Sequence, residues 1–202
     1  DGIGVNDMQY LGGKSKIRKQ VAEFLESVRE GRDYFEPFVG GGWILQEMSE
    51  TRIASDGNIA LITLYKALQE GWEPPDFVSE FEYGLVNSLR DVNDPLTAFV
   101  GFGCSFGGKW FGGYARGNDS KGVPRNIPGE SGRNLLKQAP NLKGIEFRNV
   151  SFSELEVPDN SIIYCDPPYR NTTKYKDSID YEQFYEWCRT QSKKGNRVYV
   201  SE

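Results

Sequence analysis

Between residues 34 and 68 the chain reads as strand, tight turn, strand and helix in quick succession, and this alternation constrains the fold more than any other feature. Residues 34–39 are short, aromatic and apolar, and they run into Gly40-Gly41-Gly42. Beyond the glycines the spacing predicts a helix over 43–48, a second strand over 52–55 ending at Asp56, and a helix over 59–68. Ahead of this block, apolar residues at 17, 21, 24, 25 and 28 predict a helix. The pattern returns at the far end, with strands over 144–150, 161–165 and 196–201 and a helix over 181–193. Strands joined by crossover helices pair in parallel, so the expected fold class is α/β.

The middle of the chain breaks the pattern at Glu73-Pro74-Pro75. An amphipathic stretch over 77–89 follows, then a helix over 95–103 and a Gly- and aromatic-rich run over 101–117. A polar loop through Pro128 comes next, and residues 135–142 close the region. The simplest organisation is a sheet domain over 1–72 and 142–202, interrupted by an insertion over 73–141. A chain of 202 residues holds one such domain with its own core.

Composition removes several chemistries. Histidine is absent, which excludes a Ser-His-Asp triad, a Cys-His dyad and the usual His-based metal sites. Cys104, Cys165 and Cys188 are odd in number and far apart, without a C-x-x-C pair, so neither a disulfide framework nor a zinc site is expected. No metal is expected. No apolar run approaches the roughly 20 residues that cross a bilayer, and residues 1–7 lack a signal-peptide pattern. These features predict a cytoplasmic monomer with no membrane association. The net charge of −5 is unevenly spread. Residues 109–148 carry eight Lys or Arg against three acids, so a basic stretch sits on an acidic body, as suits a polyanionic partner.

Two constellations carry chemistry. Glycines after a strand let a ligand approach the backbone beneath a helix's exposed N–H groups, and an acid ending the next strand, Asp56, is placed to bind a ribose. Together they favour a nucleoside-containing cofactor. Gly13-Lys14-Ser15 is no phosphate loop, because G-x-x-x-x-G-K-[ST] requires glycine at position 8, where Met8 stands. The second constellation is Asp166-Pro167-Pro168-Tyr169 after the apolar run Ile162-Ile163-Tyr164-Cys165. Two prolines fix the backbone and remove two N–H donors, leaving carbonyls without local partners. A carboxylate, fixed carbonyl acceptors and an aromatic face suit a planar ring with an exocyclic amine.

These residues resemble the Dam-like (D12 class) DNA adenine-N6 methyltransferases. Tyr10-Leu11-Gly12-Gly13-Lys14 is similar to the family's N-terminal cofactor motif, and Glu36-Pro37-Phe38-Val39-Gly40-Gly41-Gly42 to its glycine motif. Ser55-Asp56-Gly57-Asn58 resembles the acidic ribose motif, and Tyr164-Cys165-Asp166-Pro167-Pro168-Tyr169 the catalytic loop. The motifs stand in family order, and the resemblance covers 8–72 and 144–202.

It implies a Rossmann-like S-adenosylmethionine-dependent methyltransferase sheet with an inserted target-recognition region, acting on adenine N6 in double-stranded DNA. Tyr10, Lys14, Phe38, Gly40, Asp56, Phe152 and Asp166 would then contact the cofactor, Asp56 at the ribose hydroxyls. Asp166 and the Pro167 carbonyl would bind the target amine, with Tyr169 stacked on the flipped base. Lys109, Arg116, Lys121, Arg125 and Arg133 of the basic stretch would contact DNA. The family ordinarily continues past the position of Glu202 into a strand hairpin, which implies a truncated catalytic domain. Three other readings stay open at this point: a DNA-binding module without catalysis, a methyltransferase for cytosine N4 or RNA adenine, and a nicotinamide-dependent oxidoreductase. The last leaves the Asp-Pro-Pro-Tyr loop and the basic stretch unexplained.

Overall fold

The computed structural model describes residues 15–168 and 179–201. Five strands form one sheet: β1 (Tyr34–Glu36), β2 (Arg52–Ser55), β3 (Glu146–Arg148), β4 (Ile162–Cys165) and β5 (Arg197–Val200). Their order is β3-β2-β1-β4-β5 and every pair is parallel. This mixed α/β architecture is compatible with a Rossmann-like methyltransferase fold. The register pairs Tyr34 with Arg52 on one side and with Ile162 on the other. Central strands of a parallel sheet are covered on both faces, and β4 accordingly reads Ile-Ile-Tyr-Cys with all four residues buried.

The strand order fixes where a ligand can sit. From β1 the chain works outward through β2 and β3, then returns to lay β4 and β5 on the other side. The crevice beyond the carboxyl ends of β1 and β4 is therefore the topological switch point of the sheet.

Two compact units divide the chain. Lys16–Gly57 and Gly144–Glu202 form the first, and Asn58–Lys143 the second. In the first unit, helix α1 (Ser15–Arg29) precedes β1, and helix α6 (Tyr181–Lys193) connects β4 to β5. Asp180 caps α6, its side chain accepting from Glu182 N at 3.0 Å and Gln183 N at 3.1 Å. Phe184 on α6 is fully buried against a core of Phe35, Ile53, Phe152, Leu155, Val157, Ile163 and Cys165.

The second unit holds α2 (Ile59–Gln69), α3 (Glu80–Leu89), α4 (Pro95–Ala98) and α5 (Ile127–Gln138). Asn58 caps α2 and Ser79 forms a capping box with Glu82 on α3. No helix among the described residues is long and apolar enough to cross a membrane.

Three predicted elements differ from the structure. The helix expected over 43–48 is a single 3-10 turn, Leu45–Glu47. Ile44, Leu45 and Met48 are buried there, but Met48 is already extended, because few residues separate it from β2. The helix expected over 95–103 is α-helical only as far as Ala98 and widens into a π turn over Phe99–Gly103. There the Gly101 carbonyl accepts from Phe111 N at 2.8 Å and from Ser105 Oγ at 2.7 Å, partners outside the helix ladder. Helix α5 begins at Ile127, well before residue 135. Asn126 caps it, and Pro128 stands in the first turn, where a missing N–H costs nothing.

Candidate functional site

The glycine turn is tied to the end of β2. Val39 N donates to Ser55 O at 3.1 Å, and Gly40 N donates to Asp56 Oδ2 at 3.2 Å. Gly40 and Gly42 have φ of 48° and 68°, the left-handed region where glycine is unstrained, and Gly42 N closes the turn on Val39 O at 2.8 Å. The acid read as the ribose ligand is thus braced by the turn and half-buried beside it. Because only a 3-10 turn follows, the row of α-helical N–H groups expected over the ligand is not built here.

Beyond β1 the aromatic residues gather. Phe38 and Phe152 meet with ring centres 5.5 Å apart and planes inclined by 32°. Phe184 touches both, at 5.5 Å from Phe38 and 5.6 Å from Phe152, and Trp187 adds an edge contact to Phe152 at 5.8 Å. The two phenylalanines proposed for the cofactor therefore lie together, but they differ in exposure. Phe152 is only 6% exposed and enclosed by rings, whereas Phe38 is half-buried with surface to offer.

At the end of β4, Asp166 is half-buried, Pro167 buried and Pro168 exposed. The end of β4 is held by Ser201, the residue after β5: Ser201 N donates to Cys165 O at 2.9 Å and the Tyr164 hydroxyl is bonded to Ser201 Oγ. Tyr10, Lys14 and Tyr169 lie outside the described residues.

Sequence reasoning gave no role to Glu36, the last residue of β1. It is 3% exposed, and its Oε2 has no hydrogen-bond partner among the described residues. Burial, and then the charge of Asp166, push its carboxyl well above the usual carboxylate range. Two acids at the ends of neighbouring strands thus interact, one buried and one half-buried. The signal available was an acid closing an apolar strand immediately before Pro37.

The basic residues predicted for DNA all lie in the second unit, and Lys109, Arg116, Lys121, Arg125 and Arg133 are all exposed. Arg116 pairs with Glu80, and Arg125 with Glu130 at 3.1 Å through Nε. Lys109, Lys121 and Arg133 take no ion pair among the described residues.

Residues 10–94 match the model of the D12 class N6 adenine-specific DNA methyltransferase family. The match takes in the N-terminal motif, the glycine turn and Asp56, and it is the same family that the motifs resemble. No curated protein is significantly similar to the chain.

Proposed function

We propose that this chain is a DNA adenine-N6 methyltransferase using S-adenosylmethionine. The observation that carries the reading is the shared crevice at the switch point. Neighbouring strands β1 and β4 deliver the glycine turn and the Asp-Pro-Pro segment to it, and β2 adds Asp56. The residues present suit the cofactor's parts: a carboxylate for a ribose, a glycine turn that admits close approach, a half-buried phenylalanine for the adenine, and a buried acid oxygen of Glu36, without a partner among the described residues, for a cationic group.

When bound, the cofactor supplies an electrophilic sulfonium methyl group. The protein's own task is positioning and electrostatics. Asp166 and the Pro167 carbonyl accept the N–H groups of the target amine, which turns its lone pair outward. The Asp166 carboxylate also stabilises positive charge as it develops on that nitrogen. Tyr169 stacks on the base once it has left the duplex, an extrusion costing roughly a few kcal/mol. Exposed Lys109, Lys121 and Arg133, with Arg116 and Arg125, offset that cost through phosphate contacts, and residues 73–141 serve as the target-recognition region.

Transfer of labelled methyl groups to mixed-sequence DNA tests the reading. Asp166→Ala should abolish most transfer, and Asp166→Asn, which keeps the shape but loses the charge, should slow it on the order of 10²–10³-fold. Equal rates for wild type and both variants would refute the assignment of Asp166.

A further inference from the structure

Two donors near the glycine turn take part in no hydrogen bond among the described residues. Trp43 Nε1 and Arg18 Nε are both shut away from solvent, without an acceptor among the described residues. Buried N–H groups normally find partners, because desolvation without replacement is unfavourable. These two belong to one cluster. The Arg18 guanidinium carbon lies 4.6 Å from the centre of a Trp43 ring, and the indole packs on Gly41 so closely that an added Cβ would come within 2.5 Å of Nε1.

The chemistry of the cluster selects its ligand. A guanidinium is a fixed cation with planar donors, and an indole contributes one further N–H and no acceptor. Such a set recognises a small planar anion, above all a carboxylate, while the guanidinium stacked on the indole repels an ammonium. Glu36, the acid that could take an ammonium, stands seven positions back along the same turn segment. The site proposed above expects a ligand carrying both groups at one end.

We propose that Arg18 and Trp43 bind the α-carboxylate at the amino-acid end of S-adenosylmethionine. Arg18 supplies the charge and Trp43 the Nε1–H, while Gly41 is glycine because the indole fills the space of a Cβ. Both are binding residues and neither takes part in methyl transfer. This inference rests on the cofactor reading above.

Calorimetric titration with S-adenosylmethionine and with its decarboxylated analogue tests it. The analogue keeps the nucleoside, the sulfonium and the amine. Arg18→Gln and Trp43→Phe, the latter retaining the aromatic packing, should each weaken S-adenosylmethionine binding by about tenfold, as loss of a charge-assisted contact would. Binding of the decarboxylated analogue should stay within about twofold of wild type. Equal losses for both ligands, or none for either, would overturn the proposal, as would a loss confined to DNA affinity. Arg18→Gln decides the matter if Trp43→Phe does not fold. A wild type that binds neither ligand would instead refute the cofactor reading itself.

Discussion

Replacing Asp56 separates the bracing of the glycine turn seen in the structure from the ribose contact proposed above. In Asp56→Ala, Gly40 N loses its acceptor at 3.2 Å on a residue held at φ 48°. On the proposed reading the ribose hydroxyls also lose a charged acceptor. A hydrogen bond to a charged group is worth about 1.5–3 kcal/mol when buried. Asp56 is half-buried, so water recovers part of this and a loss of about 1–3 kcal/mol is expected. Since 1.4 kcal/mol is tenfold, affinity should fall by roughly 5- to 150-fold. Asp56→Asn keeps an oxygen for Gly40 N and loses only the charge, so it should cost less, about 3- to 10-fold, and leave the melting temperature unchanged. Calorimetry with S-adenosylhomocysteine, alongside thermal unfolding, reads both duties at once. A folded Asp56→Ala variant with wild-type affinity would show that Asp56 only braces the turn.

Glu36 makes stability depend on pH. Its carboxyl keeps its proton in the folded chain where the unfolded chain has lost it. Stability is therefore intact below the ordinary value of 4.5 and falls as the pH rises from there toward the raised folded value. Glu36→Gln should melt higher than wild type at pH 7 and alike at pH 4, and the reverse order at pH 7 would mean a paired, ionised carboxylate. Phe152→Ala should cost about 3–5 kcal/mol of stability, as for a buried ring, and Phe38→Ala should register mainly in cofactor affinity. Denaturant unfolding with ligand titration checks both, and a stable Phe152→Ala variant that has lost the cofactor would invert the assignment. Reversing the charge of Lys109, Lys121 and Arg133 should weaken DNA binding and flatten its salt dependence while sparing the cofactor. Unchanged affinity and slope would leave these side chains merely solvated.

The sheet and its switch point were legible because their determinants are local. The fully apolar run Ile162–Cys165 and the helical spacing of Tyr181–Lys193 need no knowledge of distant residues. Buried positions at 44, 45 and 48 fit an α-helix or a single 3-10 turn equally well. The proximity of β2, a tertiary constraint, decides between them. Helix α5 was hidden for the opposite reason: Pro128 and Gly129 look like breakers but stand in its first turn, where both are tolerated. Glu36 escaped because its burial and its raised proton affinity depend on β4, which arrives more than a hundred residues later.

The identity of the methylated nucleoside tests the central claim most directly. DNA incubated with the protein and labelled S-adenosylmethionine, then digested to nucleosides and separated, should yield N6-methyladenine as its labelled product. Label in N4-methylcytosine, or label confined to RNA adenine, would contradict the assignment of the target base. A chain that binds cofactor and DNA yet labels no base would contradict the enzyme itself.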